Sequence, residues 1–201
     1  MQLTLQAGRP TEIAGFVLAV GWLGYGVILA LGKRGAARGD AKRDVKSSIG
    51  FLLQCAAYGI CFVFPRTYFS PLFPMSSLNE KLLAGLDAAF TIASVWFCFA
   101  AARALGKQWA LMARVIKGHE LISQGPYAVV RNPIYLAMLG MLMATGLVVS
   151  RWQAIVCAAV VFAAGTAIRI RSEENLLRET FGATFEEYAR RVPAFLPRLW
   201  T

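Results

Sequence analysis

Charge is scarce in this chain. Asp, Glu, Lys and Arg make up 16% of its residues and hydrophobic types 57%, with a mean hydropathy of +0.53. A soluble domain carries about 25% charged and about 45–50% apolar residues, so the composition argues against a water-facing fold and for a membrane protein. Histidine is scarcer still: His119 stands alone. The four cysteines, Cys55, Cys61, Cys98 and Cys157, sit inside apolar runs with no C-x-x-C spacing and no histidine nearby. That pattern disfavours a zinc site, and no metal is expected. They read as small buried hydrophobes. The beginning of the sequence lacks the basic stretch of a cleaved signal peptide, so the first apolar run is expected to be retained. No internal repeat or low-complexity segment is visible.

What is present is a series of five apolar runs, at residues 13–31, 49–64, 86–105, 133–149 and 153–168. A hydrocarbon core about 30 Å thick needs about 20 apolar residues per helix, so these runs and their loops occupy the whole length. One membrane domain, 1–201, is expected, with three spans in 1–105 and a second half in 106–201. Glycines 15, 21, 24 and 26 would let the first span approach a neighbour closely. Ser150, Arg151 and Trp152 leave room only for a tight turn, which makes spans four and five an antiparallel hairpin. The helical pattern of span five runs on through residues 169–181 to a stop at Gly182, and Phe185 and Tyr188 share a face of a short helix beyond it.

The formal net charge is +10. Its basic residues cluster in residues 32–48, in 103–131 and after 169, whereas Arg9, Arg66, Lys81 and Arg151 lie in the alternate segments. Basic loops held on the cytoplasmic face explain this better than nucleic-acid binding. An outer N-terminus and a cytoplasmic C-terminus in a plasma (inner) membrane follow. The polar segment before span four and the charged helix after span five then face the same compartment.

Those two segments carry the residues suited to chemistry. Arg169 and Glu173 stack four apart on one helical stripe, and Glu174 lies about 100° round the helix. Ionisable groups where the hydrocarbon ends commonly mark function, although a solvated helix end would also carry such pairs. Singly, Arg131 also reads as a snorkelling anchor, Gly125-Pro126 as a turn, Tyr135 as an interfacial aromatic and His119 as a structural histidine.

Their order is more specific. His119, Leu121, Gly125-Pro126-Tyr127, Val130-Arg131-Asn132-Pro133 and Tyr135, followed by Arg169, Glu173-Glu174, Leu177, Phe181-Gly182, Tyr188 and Val192-Pro193, closely resemble the isoprenylcysteine carboxyl methyltransferase and phospholipid methyltransferase families. The resemblance covers roughly residues 105–197. Asn132 and Ala137 depart from the carboxyl methyltransferase pattern, where histidine and glycine are common. The resemblance implies an all-α integral membrane protein of five transmembrane helices, with a C-terminal helical hairpin and a cytoplasmic cofactor pocket. It implies S-adenosylmethionine as cofactor, which agrees with the lack of a strand-flanked G-x-G-x-x-G. Carried over, His119, Leu121, Gly125, Tyr127, Arg131, Asn132, Pro133 and Tyr135 would line the pocket, with Glu173 and Glu174 opposite. Arg169 would face the acceptor, and Arg169 and Glu173 would be the catalytic pair.

The expected reaction is methyl transfer to a lipid-like acceptor entering from the bilayer, best the carboxylate of an isoprenylcysteine-type substrate. Alternatives are N-methylation of a phospholipid amine and S-methylation of a small hydrophobic thiol. From other classes come a non-enzymatic carrier or assembly factor and a sterol-type reductase. The carrier predicts ionisable groups at the bilayer midplane, yet Asp87 and Arg103 are expected near the ends of span three. Membrane lipids are the expected partners, and nucleic acid is not.

Overall fold

Among the described residues, the apolar runs become helices. A computed structural model describes residues 9–35, 45–65, 77–106 and 121–197 of the 201-residue chain. Within them lie α1 (Arg9–Gly35), α2 (Val45–Val63), α3 (Ser77–Leu105), α4 (Pro133–Val149), α5 (Trp152–Phe181) and α6 (Ala183–Arg191), with a 3-10 turn at Gly125–Ala128. No strand occurs among the described residues beyond one isolated bridge between Pro65 and Ser150.

Among the described residues, three helices are long and apolar enough to cross a bilayer: Pro10–Gly32 of α1, Lys81–Leu105 of α3, and α5. The other two apolar helices are shorter. The 17 residues of α4 rise about 26 Å, close to the lower limit for a span. Large apolar side chains such as Phe16, Leu23, Leu52, Trp96 and Val160 point outward from the bundle. This exposure suits a chain whose solvent is lipid.

Helix α4 lies at the centre and touches α1, α2, α3 and α5. Its apolar residues run all round the helix because every face meets a neighbour. On one side Ala137, Met141, Ala144 and Val148 pack with Leu18, Tyr25 and Cys98. On the other, Leu142 packs with Ala57, Cys61, Ala158 and Phe162. Polar bonds tie the apolar helices together: Trp22 Nε1 to Thr145 Oγ1 at 3.1 Å, Tyr58 hydroxyl to the Met138 carbonyl at 2.7 Å, and Ser150 hydroxyl to the Cys61 carbonyl at 2.7 Å. Such bonds contribute about 0.6 kcal/mol each between membrane helices.

The hairpin forms at the expected turn, with Ser150 closing α4 and Arg151 opening α5. The most extensive neighbour of α5, however, is α2. A Cβ on Gly50 would lie 2.6 Å from the Gly165 carbonyl oxygen, and one on Gly165 would lie 2.7 Å from that of Gly50. Only glycine at both positions lets these backbones meet. In α1, Gly21 makes the anticipated close contact, against Thr91, whereas Gly26 meets nothing.

Helix α5 continues unbroken past residue 168 and ends at Gly182, whose φ of 49° needs glycine and whose N–H bonds the Arg178 carbonyl at 2.9 Å. Helix α3 begins at Ser77, well before residue 86, because Glu80 and Lys81 continue its first turns. Asp87 is therefore buried within the helix instead of near its start.

Candidate functional site

The far end of α5 meets the beginning of α4. Pro133 occupies the first helical position of α4, where its missing N–H costs nothing, and so aims the preceding Arg131-Asn132 at the C-terminal segment. Arg131 Nε and NH2 lie 2.9 and 2.7 Å from Glu174 Oε1. Its NH1 donates to the carbonyls of Ala189 and Val192, and its backbone N–H donates to the Pro193 carbonyl at 2.9 Å. Asn132 Nδ2 donates to the Ala194 carbonyl at 2.8 Å. The segment before α4 is thus laced to α5, α6 and the chain after it. Glu174, 9% exposed in its side chain, also meets Arg178 NH2 at 3.3 Å.

One residue earlier, Glu173 faces the bundle. Its carboxylate accepts from the Tyr135 hydroxyl and from Arg169 NH2 at 3.4 Å. Arg169, 3% exposed, lies over the Tyr135 ring with its guanidinium carbon 5.0 Å from the centroid and 5.6 Å from that of Phe51. Its NH1 contacts Gln54 Oε1 at 3.3 Å. The two adjacent carboxylates therefore differ in kind. Glu174 is locked into a two-arginine clamp, whereas Glu173 keeps 26% of its side chain exposed.

Around this pair, Tyr127 is buried in the 3-10 turn, and its carbonyl accepts from the Tyr188 hydroxyl at 2.6 Å. Burial holds the Tyr127 phenol well above its ordinary pKa, with the charge of Glu173 adding to the effect. The Tyr188 phenol is pushed up to about 12 by burial; Arg131 opposes the shift and Glu174 adds to it. Gly125 takes a φ of 61°, which glycine adopts freely, to start the turn. Leu121 packs against Phe185, Tyr188 and Val192 beneath α6.

The structure therefore brings Leu121, Tyr127, Arg131, Asn132, Pro133, Tyr135, Arg169, Glu173 and Glu174 to one end of the bundle. His119 lies outside the described residues. Phe51 and Gln54 were not anticipated, and Tyr188 was named within the motif without a part for its hydroxyl. The first two come from α2, and Gln54 had a readable signal as the lone amide in the second apolar run. Among the described residues no three His, Cys, Asp or Glu side chains gather as a metal site.

The stretch containing most of these groups matches a known family: residues 83–184, half of the chain, fit the family described as phospholipid methyltransferase. The chain belongs to that family. It is 36% identical over 96 residues to the nickel-cobalt-cadmium resistance protein NccN of Alcaligenes xylosoxydans xylosoxydans, covering 47% of this chain and 45% of that protein. To the cobalt-zinc-cadmium resistance protein CzcN of Cupriavidus metallidurans it is 35% identical over 96 residues, covering 47% and 44%. To protein-S-isoprenylcysteine O-methyltransferase B of Arabidopsis thaliana it is 34% identical over 79 residues, covering 39% and 40%. The chain thus spans less than half the length of each of these curated relatives. Of the groups described above, Tyr135, Arg169, Glu173 and Glu174 fall inside the family stretch, whereas Phe51 and Gln54 precede it.

Proposed function

We propose that this protein is an S-adenosylmethionine-dependent methyltransferase of the inner membrane. Its acceptor is lipid-like and enters sideways from the bilayer, and the acceptor atom is a carboxylate oxygen of an isoprenylcysteine-type molecule. Five spans with an outer N-terminus put the site at the cytoplasmic boundary. The observation that carries this reading is the meeting of Arg169, Tyr135 and Glu173 beside the Arg131–Glu174 clamp, on a chain of this family.

The residues present fit the cofactor. A sulfonium cation is attracted by carboxylates and by aromatic faces, and the partly exposed Glu173 beside the Tyr135 ring offers both. Tyr127, Asn132, Tyr135 and Glu173, with His119 and Gly125, would hold it, while Arg131 and Glu174 keep the walls together. When bound, S-adenosylmethionine supplies an electrophilic methyl group whose carbon–sulfur bond breaks as the new carbon–oxygen bond forms. Arg169 orients the acceptor carboxylate by charge-assisted hydrogen bonds. A carboxylate carries no proton to remove, so orientation is the main task, and it is worth roughly 7–11 kcal/mol of barrier in favourable cases.

A second reading, N-methylation of a phospholipid amine, is favoured by one feature: Glu173 is an accessible carboxylate beside the Tyr135 hydroxyl, suited to taking the proton an amine must lose. Incubation with labelled S-adenosylmethionine and a panel of prenyl-cysteines, aminophospholipids and hydrophobic thiols, followed by mass spectrometry, separates the readings. Methyl ester on the prenyl-cysteine is the expected product. Methylated amine would select the second reading, and no cofactor binding by calorimetry would remove both.

A further inference from the structure

Gln54 stands in the middle of an apolar helix and is 1% exposed. A primary amide buried without partners costs free energy on both its donor and its acceptor, so its retention there calls for a use. Both ends are used. Nε2 donates to Thr166 Oγ1 at 2.9 Å, and Oε1 faces Arg169 NH1 at 3.3 Å. The two partners sit one turn apart on the same face of α5, and one of them dictates the arrangement: a guanidinium only donates, so the amide oxygen must face Arg169, while the hydroxyl, which can donate or accept, takes the amide nitrogen. The amide therefore has a single orientation.

The reach depends on the close approach of α2 and α5 at Gly50 and Gly165, one turn before Gln54 and one residue before Thr166. Glu173 on its own is an i,i+4 partner at 3.4 Å, the kind of contact that leaves a long side chain free to swing. Gln54 and the Phe51 ring hold the guanidinium from the opposite side. NH1 is directed to α2 while NH2 meets Glu173, with the Tyr135 ring against the same guanidinium.

We infer that Gln54 is a positioning residue that fixes the Arg169 guanidinium, so that α2, outside the family stretch of 83–184, completes the acceptor-orienting group. The inference rests on the methyltransferase reading above for its catalytic consequence, though not for the Gln54–Arg169 coupling itself.

The test uses the full chain in lipid nanodiscs, with S-adenosylhomocysteine affinity by calorimetry and methyl transfer to an N-acetylated prenyl-cysteine. Gln54→Leu is expected to lower kcat about a hundredfold, with S-adenosylhomocysteine affinity unchanged within about twofold. Gln54→Glu keeps an acceptor facing Arg169 and is expected to recover activity to within about tenfold of wild type. Thr166→Val leaves the Arg169 contact in place and is expected to lose about threefold, the effect of one neutral hydrogen bond. Equal losses in Gln54→Leu and Thr166→Val, with no recovery in Gln54→Glu, would mean a merely structural amide and would overturn the inference. Thermal unfolding of Gln54→Leu, Arg169→Met and the double variant supplies a readout independent of activity. The two effects on Tm should fail to add by about 2 °C or more. If wild type binds no cofactor, the methyltransferase reading fails; non-additive Tm shifts would then still support the coupling, and additive ones would end it.

Discussion

Replacing Arg131 with alanine tests whether the clamp holds the site together. Arg131 and Glu174 are 11% and 9% exposed in their side chains, and Arg131 also serves two backbone carbonyls. Removing one partner of a buried ion pair costs about 3–5 kcal/mol, chiefly because the other charge is left behind. Arg178, still 3.3 Å from Glu174, offsets part of that, which puts the loss near the lower end, at about 3 kcal/mol. For a chain of this size each kcal/mol lowers Tm by about 2–4 °C, so Arg131→Ala should unfold roughly 6–12 °C earlier. Arg131→Lys keeps the charge without the fork that reaches Glu174 and both carbonyls, and should lose about half as much. The double variant Arg131→Met, Glu174→Leu removes both charges together and should recover most of the stability. Differential scanning fluorimetry in detergent measures all three. A double variant as unstable as the sum of the single changes, or an Arg131→Ala protein that melts with wild type, would refute the reasoning.

Calorimetry with S-adenosylhomocysteine should find binding weakened about tenfold or more in Arg131→Ala and Glu174→Ala, since a loosened clamp misplaces the residues around it. Arg169→Ala should instead lower turnover about a hundredfold with that affinity little changed if, as proposed, Arg169 orients the acceptor; equal effects on both would count against the assignment. Gly165→Ala drives a Cβ to 2.7 Å from the Gly50 carbonyl oxygen, and such overpacking should cost about 1–3 kcal/mol, read as a lower Tm. The raised Tyr188 phenol has a sign that alkaline titration checks. Its contribution is complete below the unfolded-state value near 10 and lost as pH rises through the folded-state value of about 12. Wild type should therefore lose its advantage over Tyr188→Phe between those limits, and a constant difference would contradict the burial.

Much of the architecture was legible because its causes are local. Apolar runs mark where helices can cross, Pro133 marks where α4 can start, and Gly182 marks where α5 must end. The opposition of the segment before α4 to the end of α5 followed from the alternation of basic loops, and Arg131 and Glu174 indeed meet. The extent of α3 was misjudged because Glu80 and Lys81 look like loop residues, although a helix accommodates both.

By itself, then, the sequence determined the helical class, the apolar runs and the two polar segments that meet at one end of the bundle. Periodicity, caps and charge bias act over a few residues and leave their marks in the order of the letters. Only the tertiary structure decided which partners each of the two glutamates meets and the contact of α2 with Arg169. Glu173 and Glu174 are neighbours in sequence, yet their different partners follow from which elements each one faces. Gln54 meets Thr166 and Arg169 across 112 and 115 residues, through an approach that exists only because two distant glycines lie face to face.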